Sequence, residues 1–431
     1  MKRSAARMSI SQAFPKSPIA RDFVAPLILT LRLFARYWPQ LILLAALGLI
    51  LRDLLLSAAV FAGLRNAMAG MVVLSFVVLS KLAITVLMFQ ALRPDLPAVR
   101  RLGRTGDDDE AAAVRTPRQQ AMATVAIAIL PFFAYYAAWG FLGDTVREYS
   151  RLALSKVPFG ESANFLDLLT SQFLLASIGA CWIVRWAVKR INSRSPAPLW
   201  SFLIVACDAT WIFIGLYALS GWKDELFRWI GSGGLFEALP SLQGVSAGLV
   251  APAWAAADFV PVELREPDLW TSAQSLFFYA LLPLVWLVMA AIIYGYDAAP
   301  AAPKQERPPA DTRHATLLGW LRDFLAHFFG DYRSRYMPVL RCVRMALGAG
   351  LGPLIALVLG YRLIGWIGAW LWVAATRLIG AHELADWQLI AEPIGLAIGS
   401  LADLDGGILL DPLRICLLAA VVERAVAGNR E

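Results

Sequence analysis

The sequence predicts an all-α, polytopic helical integral membrane protein, and three observations carry that expectation. The 431-residue chain is 59% hydrophobic and only 16% charged, where a soluble domain averages about 45–50% apolar and about 25% charged. Its apolar residues gather into runs of about 20, the length that crosses a hydrocarbon core as a helix. Lys and Arg concentrate in alternate connections between those runs. A chain of this length buries a sizeable core without such an apolar excess, so the excess is read as surface solvated by lipid. That excludes an ordinary soluble enzyme, a disordered chain and a secreted disulfide scaffold.

Taken in order, Met1–Asp22 is polar and basic, with no short apolar run before a small-residue cleavage site, and reads as a tail rather than a signal peptide. Val24–Ala35 is too short to span; Arg32 and Arg36 stand four apart beside Leu27, Ile28, Leu31 and Phe34, which predicts a helix lying in the interface. About eight spans follow: Gln40–Val60, Met68–Leu92, Ala121–Leu142, Leu166–Val188, Pro198–Gly221, Ser272–Tyr294, Met345–Trp372 and Gly407–Val426. None alternates polar and apolar residues as a barrel strand does. After a Pro/Ala linker at 298–310, Leu317–Tyr332 places Leu317, Leu321, Phe324, Phe328 and their neighbours on one face, a second interfacial helix. The chain therefore divides into 1–37 (tail and interfacial helix), 38–297 (spans one to six, with an outer loop at 222–269), 298–342 (linker and amphipathic helix) and 343–431 (spans seven and eight).

Charge sets the orientation. With the connections assigned in this way, 27 Lys and Arg fall on the side of the termini and 8 on the other, so both termini are expected in the cytoplasm. The net charge of +7 is thus a topological bias, and no nucleic-acid partner is expected. The Arg- and Ala-rich composition suggests a bacterial source and hence the bacterial cytoplasmic membrane. Trp38, Trp186, Trp200, Trp222, Trp270, Trp370 and Trp372 fall near span ends, where an amphipathic indole prefers to sit. Arg36-Tyr37-Trp38-Pro39-Gln40-Leu41 is echoed by Arg335-Tyr336-Met337-Pro338-Val339-Leu340, each opening a span, which points to a duplicated hairpin or to chance in a biased composition.

The candidate functional residues are the charges inside the spans: Arg52, Asp53, Lys81, Asp208, Arg362, Asp411 and Arg414. Each costs at least about 2.5–3.5 kcal/mol at a helix centre, so each is expected to face protein or a polar cavity. Asp53 and Lys81 lie at similar depth either side of a tight turn at Gly63–Ala67 and are expected to pair. Asp411 and Arg414 are three apart on one helical face, with Arg362 at a comparable depth. Asp208 has no nearby partner in sequence and is the leading candidate for a titrating group. The same charges also suit a purely structural role, fixing helix partners and register. Gly348, Gly352, Ala356 and Gly360, four apart, predict close helix packing, and Gly350, Gly352 and Pro353 mark a place where the seventh span could break.

Enzyme signatures are thin. Asp107-Asp108-Asp109-Glu110 lies in a polar loop without a second acidic motif, His382-Glu383-Leu384-Ala385-Asp386 lacks the second His of a zinc-protease helix, and Cys181, Cys207, Cys342 and Cys416 sit in or beside apolar runs. No cofactor and no metal is expected. The expected function is membrane transport or lipid handling through a charged intramembrane cavity, with the bilayer, an anionic small molecule or lipid headgroup, and a membrane-protein partner as interaction candidates. The alternative is a non-catalytic integral subunit or scaffold; a membrane enzyme acting through the outer loops is a weaker third.

Overall fold

The computed structural model describes residues 18–102, 141–156, 202–216, 269–295, 350–399 and 407–428, with isolated positions between 124 and 136 and between 183 and 200, and residue 344. Among the described residues regular structure is helical, with no strand: α1 (Pro18–Arg65), α2 (Ala67–Leu92), a 3-10 turn (Arg93–Asp95), α3 (Pro97–Leu102), α4 (Phe141–Lys156), α5 (Phe202–Leu216), α6 (Leu269–Gly295), α7 (Leu351–Ile379), α8 (Leu384–Ile398) and α9 (Gly407–Gly428). Among the described residues three stretches, Asp22–Arg65, Ala67–Asp95 and Leu351–Ile379, are long and apolar enough to cross a membrane. The bodies of the expected third and fourth spans, the loop at 222–269, the linker at 298–310, the helix at 317–332, the repeat at 335–340 and Gly348 lie outside the described residues.

The chain forms two compact units: Met1–Leu54, Leu79–Ile129 and Leu282–Glu431, and Leu55–Val78 with Leu130–Leu281. In the second unit the α1–α2 hairpin turns at Asn66, whose side-chain oxygen accepts from the backbone N–H of Met68 at 2.9 Å and of Ala69 at 3.3 Å. This is an N-cap, which satisfies two of the donors that the first turn of α2 leaves without helical partners. Gly63 and Gly70 let the two helices touch backbone to backbone just beyond the turn, for a Cβ at Gly70 would stand 2.6 Å from Gly63 Cα. The Tyr149 hydroxyl of α4 closes the same spot. Further along, Ser75 and Thr210 share a buried hydroxyl–hydroxyl hydrogen bond of 3.0 Å, and Phe133 meets Phe213 edge-on.

In the first unit α7, α8 and α9 pack on one another, and α9 packs on α3. A Cβ at Gly360 would lie 3.1 Å from Leu417, and one at Gly368 would lie 2.7 Å from Leu410, so α7 and α9 run antiparallel in close contact. α1 also packs on α7: Asp22 lies against Gly352, Leu27 lies against Gly360, and Ala356 between them is fully buried. Tyr294 of α6 donates to the Phe89 carbonyl of α2 at 2.9 Å, with the two rings edge to face.

Three boundaries differ from the sequence expectation. α1 is one helix of 48 residues that runs through Pro26 and Pro39, instead of an interfacial helix followed by a separate span. A proline removes one backbone bond, which a long helix in an apolar setting tolerates. The start of α7 follows Gly350, whose φ of 84 is easy only for glycine, with Pro353 in the first turn where its missing N–H is harmless. Residues 384–398, expected as loop, form the apolar helix α8, too short at 15 residues to cross. Trp372 Nε1 donates to the Gly399 carbonyl at 2.7 Å and ties its C-terminal end to α7.

Candidate functional site

The charged group between α7 and α9 is built by register. Because Gly360 meets Leu417 and Gly368 meets Leu410, Arg362 and Arg414 stand at about the same level on facing helices. Arg414 Nη1 is 3.2 Å from Asp411 Oδ1, a pair on one face of α9 in which Arg414 is the more buried partner. The Arg414 guanidinium also lies 5.2 Å from the ring centroid of Tyr361, within cation–π range. Arg362 follows Tyr361 in sequence, and its Nε is buried. Among the described residues, two guanidinium groups thus share a level with the Asp411 carboxylate and the Tyr361 ring. A planar guanidinium fork matches a carboxylate or phosphate with two parallel hydrogen bonds.

Asp208 lies on α5, an apolar helix, and is only 7% exposed. The Trp211 indole N–H, one turn on, donates to Asp208 Oδ1 at 3.2 Å. The hydroxyls of Ser75 and Thr210 meet within two residues of it. Asp208 is thus held beside an indole donor and a buried hydroxyl pair that tie its helix to polar neighbours.

Arg52 and Asp53 fall elsewhere. The Asp53 carboxylate is 65% exposed and its ion pair is with the adjacent Arg52 at 3.5 Å. The expected partner, Lys81, is half-buried on α2. Depth was judged correctly from the hairpin, since Gly48 and Ile84 pack at matched distances from Asn66. Depth alone does not fix azimuth, and the Asp53 carboxylate stays exposed beside Arg52.

Two residues that the sequence reading passed over do structural work at the Arg36 end of the helices. Glu423 of α9 is 7% exposed and accepts from the backbone N–H of Ala98 at 2.7 Å and of Val99 at 2.9 Å. Those are the second and third residues of α3. Leu96, at the N-cap position, has no side-chain oxygen to offer, so a carboxylate from 324 positions away caps the helix instead. Asp95, in the preceding turn, pairs with Arg36 of α1 at 2.8 Å. The signal was present: Pro97 suits a helix start, which leaves the next donors in need of an acceptor.

His382 Nδ1 stands 3.4 Å from the Gly380 carbonyl, Glu383 precedes the first turn of α8, and Asp386 lies within it. Among the described residues no three His, Cys, Asp or Glu side chains gather to hold a metal. No family model, no curated protein and no solved structure matches the chain.

Proposed function

We propose that the chain is a polytopic inner-membrane protein of about eight spans, with both termini cytoplasmic, that handles an anionic solute or lipid headgroup inside the bilayer. The observation that carries this reading is the α7–α9 group: Arg362 and Arg414 at one level of two closely packed helices, with Asp411 as the acidic neighbour. At a helix centre each guanidinium costs at least about 2.5–3.5 kcal/mol, and an anion drawn to the pair of guanidinium forks would offset part of that cost. Asp208 supplies a protonatable group with which such movement could be coupled, and Arg52, Asp53 and Lys81 belong to the same set of intramembrane charges.

The test is scrambling of a fluorescent phosphatidylglycerol in proteoliposomes, read by dithionite quenching, alongside proton uptake reported by an entrapped dye. Arg362→Gln and Arg414→Gln are expected to abolish the first signal, and Asp208→Asn the dependence on pH. Signals no greater than those of protein-free vesicles would sink the reading.

The local Asp411–Arg414 pair favours a second reading, an integral subunit whose charges lock its packing. Swapping the two residues decides between them. A folded double variant with a partner complex intact marks the pair as structural, whereas a folded variant without flux marks it as functional.

A further inference from the structure

We propose that the exposed face of α1, where Arg36 reaches Asp95 in the turn before α3, is a binding site for one anionic phospholipid. This rests on the membrane setting of α1 but not on the α7–α9 group, so either can fail alone.

The face is continuous. Arg32 and Arg36 are exposed, and steps of three or four residues from them lead through Gln40 to Leu43, Leu47, Ile50 and Leu54, all exposed. Residues so spaced stack on one side of a helix. The stripe changes from basic to apolar at Trp38–Gln40, and Trp38, 51% exposed, marks that level as the headgroup boundary. From Leu43 to Leu54 the helix rises about 16 Å, close to one leaflet of a hydrocarbon core about 30 Å thick. A headgroup beside the arginines would therefore lay its acyl chain along the leucines.

The basic end is built rather than scattered. Arg36 Nη1 bonds Asp95 at 2.8 Å, which fixes the guanidinium while its side chain stays 66% exposed. Arg100 Nη1 donates to the Pro94 carbonyl at 3.4 Å, beside the same aspartate, so Arg36 and Arg100 converge from two elements. Arg101 is exposed on α3 next to it. Two carboxylates lie here among the described residues: Asp95, which Arg36 pairs with, and the buried Glu423, which is taken up by the Ala98 and Val99 amides. The exposed charge among the described residues is therefore positive, which suits a phosphodiester, and neither carboxylate is open to the ammonium of a zwitterionic headgroup. A soluble acidic partner would have no use for the apolar half of the stripe.

Native mass spectrometry of the full-length, delipidated protein titrated with phosphatidylglycerol or phosphatidylethanolamine tests the site. Phosphatidylglycerol is expected to bind first and to resist displacement by excess inorganic phosphate. The double variant Arg32→Gln/Arg100→Gln leaves the Arg36–Asp95 pair in place and should weaken binding about 30-fold, from the usual contribution of each basic residue near an anionic surface. Arg377→Gln, exposed at the far end of α7, should leave it unchanged. Leu47→Ser should weaken the long-chain lipid but not its short-chain analogue. Equal binding of the two lipids, displacement by phosphate alone, an equal loss in Arg377→Gln, or no effect of Leu47→Ser would each overturn the proposal. So would cross-linking of two chains through Ile50→Cys, which would show a second copy on this face.

Discussion

Removing the Glu423 carboxylate should release α3 from α9, and the geometry fixes how much that costs. The carboxylate accepts two backbone bonds, of 2.7 and 2.9 Å, from Ala98 and Val99. Val99 is fully buried, so its N–H has no water to turn to once the acceptor is gone, whereas Ala98 is half-buried and regains solvent. A hydrogen bond to a charged group contributes about 1.5–3 kcal/mol, and stranding a buried donor costs about 1–3 kcal/mol. Glu423→Ala should therefore destabilise the first unit by about 2.5–6 kcal/mol, the sum of one stranded donor and one lost charged hydrogen bond. Glu423→Gln keeps one acceptor oxygen but turns an NH2 toward the second donor, and should cost about half as much. The assay is thermal unfolding in detergent combined with hydrogen exchange at the Ala98 and Val99 amides. Faster exchange confined to those amides and their neighbours, graded Ala over Gln, is expected. Unchanged protection at Val99 in Glu423→Ala would refute the reasoning.

Other consequences follow from single contacts. Asn66→Ala removes the cap of α2 and should cost about 0.5–2 kcal/mol in the same unfolding assay, with Asn66→Asp close to wild type. Gly70→Ala drives a Cβ into the Gly63 backbone and should splay the hairpin, measured as a lower melting temperature, whereas Gly428→Ala meets nothing within 4 Å and should be neutral. Burial raises the Tyr149 hydroxyl above its ordinary value of 10.0. The stability carried by its neutral form is complete below that value and is lost as pH climbs through the raised one. Tyr149→Phe should flatten the alkaline limb of a stability–pH curve; an unchanged limb would place the effect elsewhere.

Much of this fold is legible in the sequence because long apolar runs leave a helix as the way to satisfy their backbone in lipid. α2 and α9 begin and end within two residues of the expected spans, and the turn falls at Asn66, inside the expected Gly63–Ala67. Boundaries inside apolar stretches were harder. Pro39 reads as the first turn of a new helix but lies inside α1, because a proline weakens a helix locally without ending it, and α8 was hidden because a 15-residue apolar helix between two glycines resembles a loop in composition. Site residues divide by the range of their partners. Asp411 with Arg414 was readable from a spacing of three, whereas Asp53 was assigned the wrong partner because depth does not give azimuth. Glu423 and Ala98 are 325 positions apart, and no local pattern connects them.

The most direct test of the membrane reading is sidedness across the first hairpin. In a background with Cys181, Cys207, Cys342 and Cys416 replaced by alanine, single cysteines at Asn66 and at Arg100 are reacted with a membrane-impermeant maleimide in intact cells. If α1 and α2 cross the bilayer with the termini inside, Asn66→Cys is labelled at once and Arg100→Cys only after permeabilisation. Labelling of both positions from the same side would contradict the crossing and, with it, the intramembrane site.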